Sequence, residues 1–320
     1  MLPQDDDARH LARRADGARA FRRRPRPAGR RAGFRQPGPG AMMTEMMMIE
    51  ETGSPPDQRA GAYFTPESYR GILSRALDLG YRLTPFRDFG AAGEGRPILL
   101  LRHDLDHDLR SALTIGELEA GLGVGSTFFV QTACEFYNLL APESRRIVRR
   151  LADLGHEIGL HYEARRYVGP EGERNLVADL RLLEDLAGHP IVSAAQHIPI
   201  DDGVVDLKPH VRYEAYEPLF MTAPMTYISD SLMAWRQATP HDLLDRRASF
   251  QLLTHPETWT GAFAGIEDAL LSLLAEEVSV LHRRYRDVIG YYKRLLRERS
   301  ERDRAFWQRR RPGSGNHRRS

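Results

Sequence analysis

The sequence predicts an α/β protein built on a parallel sheet with helices outside it, and three observations carry that prediction. Apolar runs of strand length recur through the middle of the chain. Between them lie stretches with apolar residues at helical spacing. Most of the strand-like runs end in Asp or His, so polar chemistry collects at one end of the strands. Such alternation fits a sheet left open or one closed into a barrel, and in either case a site forms at the carboxyl ends of the strands. No sequence repeat of fixed period is present.

Taken in order, Thr65, Pro66 and Glu67 open a helix with Pro at its first position. Tyr69, Ile72, Leu73, Ala76 and Leu77 share one face, and Gly80 ends it. Residues Ile98 to Asp106 read as a buried strand, Leu109 to Ala120 as a helix, and Gly125 to Gln131 as a strand. Ser144 to Leu154 is helical, with Ile147, Val148, Leu151 and Leu154 inward and Gly155 closing it; His156 to Tyr162 returns to extended chain. Asn175 to Ala187 repeats the helix and Ile191 to Ile198 the strand. Two shorter extended stretches, Thr226 to Ser229 and Ser249 to Thr254, precede a long amphipathic helix from about Ile266 to Leu296.

Charge and composition divide the 320 residues into three parts. Residues 1 to 41 hold eleven Arg against four Asp, and residues 297 to 320 nine Arg against three acids, which leaves the stretch between them at −11 under a net charge of +2. Residues 1–55 are expected to be a disordered basic extension and linker, 56–296 the folded domain, and 297–320 a disordered basic tail. Five of the nine methionines fall between Met42 and Met48, where composition changes, so translation is expected to start at one of them. Arg-rich ends without interleaved aromatics argue against nucleic acid. No window is apolar enough for a membrane span and no secretory signal is visible, which makes the cytoplasm the expected compartment. The single cysteine, Cys134, excludes an internal disulfide and reads as a structural thiol.

The chemistry concentrates in ILLLRHDLDHD, residues 98 to 108. If the strand persists to Asp106, then Arg102, Asp104 and Asp106 share one face and His103 and Leu105 the other. Two carboxylates one pleat repeat apart suit a division of labour, one binding a cation and the other accepting a proton from water. The competing reading is that Asp106 or Asp108 caps the next helix. In HEIGLHYE, His161 and Glu163 share a face, with His161 a candidate ligand and His156 structural. His197 ends the next strand, and His255 is pinned between an apolar run and Pro256. Asp, His, His and His delivered to one rim by successive strands is the pattern of a metal site. GLGVGS at 121 to 126 is no dinucleotide loop, because it leaves a helix and enters a strand.

These stretches, RHDLD at 102 to 106, STFFV at 126 to 130, GHEIGLHYE at 155 to 163, QHIP at 196 to 199, YISDS and AWR within 227 to 236, and QLLTHPETW at 251 to 259, resemble the polysaccharide deacetylase family, the NodB-homology group of carbohydrate esterases. They are most similar to its divergent cytoplasmic branch, with Arg-His-Asp-x-Asp as first motif. The resemblance spans Tyr63 to Leu296. It implies a distorted (β/α)7 barrel and a divalent metal, usually zinc. It also implies hydrolysis of an acetyl or similar acyl group on an N-acetylated sugar, sugar nucleotide or glycan precursor in surface-polysaccharide synthesis. Carried onto this chain, it makes Asp104 the base, Asp106 and His161 metal ligands and His255 the acid, with Asp230 to keep His255 protonated and Trp259 in the second shell or at the substrate. In the family a second His follows the first by four residues, where this chain has Arg165. His197 is the expected replacement and Glu163 the reserve. HIPI stands where an Arg-x-Pro-Tyr motif is usual, which leaves Arg102 to orient the base. Because Asp104 and Asp106 are not adjacent, an exchange of their roles stays open. The missing ligand at 165 also supports a rival reading, a non-catalytic barrel that binds a glycan or a partner.

Overall fold

A computed structural model describes residues 63–91, 95–198, 205–208 and 210–310. The expectations for the basic extension, the methionine cluster and the last ten residues lie outside them. The elements run α1 (Pro66–Asp78), β1 (Arg82–Thr84), β2 (Ile98–Leu105), α2 (Arg110–Gly121), β3 (Thr127–Gln131), α3 (Pro142–Asp153), β4 (Glu157–Tyr162) and α4 (Gly172–Ala187). After these come β5 (Ser193–Gln196), β6 (Tyr213–Glu214), α5 (Pro218–Met221), β7 (Met225–Ser229), α6 (Pro240–Asp245), β8 (Ser249–Thr254) and α7 (Ile266–Arg309).

Every strand pair is parallel, and the sheet order is β6-β5-β4-β3-β2-β8-β7, with β1 added to the early half of β2. Read as a ring, β2 through β8 follow chain order, because the last strand lies against β2. Among the described residues no pairing joins β6 to β7. The result is the distorted (β/α)7 barrel, curled and open on one side. Its opening falls where β6 is only two residues long.

Pleat alternation sorts the core into two layers. On β2, Leu99, Leu101 and Leu105 face outward into clusters with the helices: Leu105 joins Ile147, Val148, Leu151 and Leu176, while Leu99 and Leu101 join Ile72, Leu73 and Trp259. Each fully buried aliphatic chain of this kind contributes about 1.5–3 kcal/mol. On the inner face, Leu100 packs with Phe86, Phe129, Ala195, Ala215 and Phe220, plugging the barrel below the site. Gly159 on β4 is required there. A Cβ on it would come 2.5 Å from the Phe129 ring and 2.8 Å from Ser193 Oγ, so only glycine leaves space for the plug.

The helix starts follow local chemistry. Thr65 accepts a hydrogen bond from the Ser68 amide at 3.2 Å and Pro66 follows it, while Asp108 accepts from the Ser111 amide at 2.7 Å at the start of α2. Asp108 is therefore the capping acid of DLDHD, leaving Asp104 and Asp106 for other work. Two expectations need correction. β1 and β6, three and two residues long, escaped periodicity altogether. The last helix does not end at Leu296 but continues to Arg309, so a disordered tail from 297 is overturned. Residues 297 to 309 are good helix formers with interspersed acids and bases and no Gly or Pro; Pro312 and Gly313 come only afterwards.

Candidate active site

The barrel's inner face delivers polar side chains just above its apolar plug. Arg102, fully buried, lies with its guanidinium 5.4 Å from the Phe129 ring centroid and 4.5 Å from that of Tyr216. It donates from Nε to Asp104 Oδ1 at 2.7 Å and from Nη2 to Asp104 Oδ2 at 2.6 Å, with a further bond to the Tyr216 hydroxyl at 3.0 Å. Burial raises the Asp104 pKa, but the facing guanidinium outweighs it and holds this carboxyl below its ordinary value. Arg102 is thus positioned to orient Asp104.

One pleat further, Asp106 emerges beyond the end of β2, partly exposed. His161 Nε2 lies 3.0 Å from its Oδ1 and 3.7 Å from Asp104 Oδ2. The other ring nitrogen of His161 donates to the Ala195 carbonyl at 2.8 Å, which orients the ring with Nε2 toward the carboxylates. That Nε2 is buried with no hydrogen-bond partner. From β5, His197 Nε2 approaches Asp106 Oδ2 to 3.8 Å, while its Nδ1 donates to Glu163 Oε1 at 2.5 Å. A ligand atom from each of Asp106, His161 and His197 lies within 4.8 Å of the others. Donors on a tetrahedral ion at about 2.1 Å sit about 3.4 Å apart, so the spacing of these atoms, the orphaned His161 nitrogen and the carboxylate behind His197 fit a divalent metal. Burial raises the Asp106 pKa, yet the imidazoles of His161, His255 and His197 hold its carboxyl well below the usual range.

On the far side of Asp106, His255 Nε2 lies 3.6 Å from Oδ2. Its Nδ1 donates to Asp230 Oδ1 at 2.6 Å. Asp230 is fully buried and also accepts from the His255 amide at 2.9 Å, from Trp259 Nε1 at 2.7 Å and from Thr258 Oγ1 at 3.2 Å. Burial disfavours the imidazolium, but Asp230, with Asp106 and Glu257 behind it, carries the His255 pKa up to about 10.

All the residues expected at the site from the sequence come together except Trp259, whose ring is completely buried and reaches the site only through its bond to Asp230. Glu163, held in reserve as a ligand, instead accepts the hydrogen bond from His197. Arg165 is an exposed residue of a 3-10 turn. His103 bonds Thr254 and the buried Glu119, and His107 bonds Glu257, so both act as supports. His156 is fully buried against Gly116 and Ser126, and Cys134 bonds the Asp106 carbonyl. Sequence reasoning missed Tyr216, which lies in irregular chain after a two-residue strand, and Gln131, whose Nε2 donates to Asp106 Oδ1 at 3.1 Å. Ending β3 with a polar residue was the available signal for Gln131.

No family model and no curated protein matches the chain. Solved structures similar to it include CE4 family proteins and polysaccharide deacetylases. A polysaccharide deacetylase from Bacillus cereus is 15% identical with a TM-score of 0.42, the match covering 69% of this chain and 66% of that one. A CE4 family pseudoenzyme from Bacillus anthracis is 16% identical at a TM-score of 0.36, covering 57% of this chain and 61% of that one. A family 4 carbohydrate esterase from the same organism is 14% identical at 0.35, covering 66% and 85%. The match thus spans less than two thirds of the pseudoenzyme's length. Among the described residues no helix is long and apolar enough to cross a membrane.

Proposed function

We propose that this chain is a divalent-metal-dependent hydrolase that removes an acetyl or similar acyl group from an N-acetylated sugar or glycan precursor. The observation that carries the reading is a three-residue ligand group, Asp106, His161 and His197, flanked by two titratable groups driven in opposite directions. Asp104 is held ionised by Arg102, and His255 is held protonated by Asp230. Such opposed pairs divide base from acid in acyl transfer.

Asp106, His161 and His197 would hold the ion, and the mixed nitrogen and oxygen donor set suits zinc. When bound, the ion supplies Lewis-acid polarisation of a carbonyl and acidifies water from about 15.7 toward about 7. The protein's own groups do the rest. Asp104 accepts a proton from the attacking water, its lone pairs aimed by the two bonds from Arg102. His255 donates from Nε2 to the departing amine, and Asp230 fixes the ring while stabilising its charge. The substrate class rests on the sequence resemblance.

The rival reading, a barrel that only binds, rested on Arg165. His197, braced by Glu163 and 3.8 Å from Asp106, offers the missing imidazole and weakens it. The test is acetate release by metal-loaded protein from a panel of N-acetylated sugars and sugar nucleotides. Turnover on at least one member is expected. A fully loaded protein that binds members of the panel and releases no acetate from any would favour the rival.

A further inference from the structure

Helix α7 offers far more surface than the barrel uses. It meets the barrel through Ala269, which is buried, through Glu277, paired with Arg110, and through Arg284, 3.5 Å from Glu143. On another side of the helix, Leu271, Leu274, Val278, Leu281 and Tyr285 begin an alternation of three- and four-residue steps that runs unbroken to Leu295, and every one of these positions is exposed. Arg299 and Arg302 occupy the next two positions, so the apolar seam has a definite end.

A seam that repeats every 3.5 residues is the requirement for two helices to wind around each other. A helix that only lies on a globular core repeats at 3.6, and over several heptads the two patterns diverge by ~20° each. The seam is about 36 Å long at 1.5 Å per residue. Its large side chains, each a third or more exposed, together with the neighbouring Ile289 and Leu296, present on the order of 1,000 Å², above the ~800 Å² per partner of a stable interface. A continuous apolar patch of that size exceeds what an isolated monomer ordinarily shows to water.

We propose that α7 pairs with α7 of a second copy of this chain, forming a homodimer through a coiled coil. An identical chain supplies a seam of the same length and period, and a two-fold pair lets one patch serve both sides of the contact. The inference is independent of the hydrolase reading, since no residue of the seam belongs to the site.

The test is the mass of the full chain in solution, by light scattering and sedimentation over a wide concentration range. Twice the mass of one chain is expected. Leu274→Glu combined with Leu281→Glu should halve it, while Arg297→Ala with Arg304→Ala, away from the seam, should leave it unchanged. Both seam positions are exposed, so the thermal transition of the barrel serves as the control for folding. A monomer at every concentration overturns the proposal, as does a monomer whose α7 instead binds anionic vesicles. A dimer that survives both Glu substitutions with a folded barrel overturns it equally.

Discussion

Arg102 and Asp104, two residues apart on β2, form a buried bidentate pair with bonds of 2.7 and 2.6 Å. Removing the cation strands a carboxylate in the barrel interior, beneath the site. Arg102→Met should cost about 3–5 kcal/mol of stability, and Arg102→Lys should restore only part of it because an ammonium cannot offer the planar fork. Denaturant unfolding of the three proteins measures this; a loss below about 1 kcal/mol for Met would contradict the pairing.

Asp104→Asn separates chemistry from metal binding. The amide keeps the shape of the side chain but cannot accept a proton, so turnover should fall by roughly 10²–10⁴ while metal content stays near that of the parent. If the variant also lost its metal, Asp104 would be a ligand and the roles of Asp104 and Asp106 would be exchanged.

Glu163→Gln removes the carboxylate behind His197 and leaves the imidazole in place. Metal affinity should weaken by about 10–100-fold, the effect of losing such a partner. Competition with a chelator reads the change, and an unaltered affinity would take His197 out of the ligand group.

Glu214 supplies a pH dependence away from the ligands. Its carboxylate accepts from the Gln196 amide at 3.1 Å and the Tyr216 amide at 2.7 Å, but burial dominates and pushes the pKa up to about 7. Between the unfolded value of 4.5 and 7 the folded state therefore binds more protons than the unfolded one. Stability from this group is present below 4.5 and is lost as pH rises toward 7, by about 3 kcal/mol. Glu214→Gln should flatten that part of the stability profile; a variant whose slope matches the parent between pH 5 and 7.5 would refute the assignment.

Much of the site was legible because a parallel barrel converts a one-dimensional pattern into a place. An apolar run ending in Asp or His marks a strand whose carboxyl end carries chemistry, and Asp104, Asp106, His161, His197 and His255 were all found that way. The alternation on β2 was legible too, since it separates Arg102 and Asp104, inside, from His103, outside. What escaped depends on packing across elements. Glu119 looks like the solvated face of α2, yet it is fully buried and bonds His103, Ser126 and Tyr69. Tyr216 has no periodic context at all, and its value comes from stacking on Arg102 and accepting its hydrogen bond. The barrel's open side was equally hidden, because two residues of β6 carry no pattern.

Asp106, His161 and His197 are proposed to bind one divalent ion. Metal analysis of the purified full chain beside His161→Ala and His197→Ala tests it most directly. One zinc or comparable ion per parent chain is expected, with both variants losing it while their barrels stay folded. A parent that takes up no divalent metal even when supplied with it, or variants that retain the full complement, would contradict it.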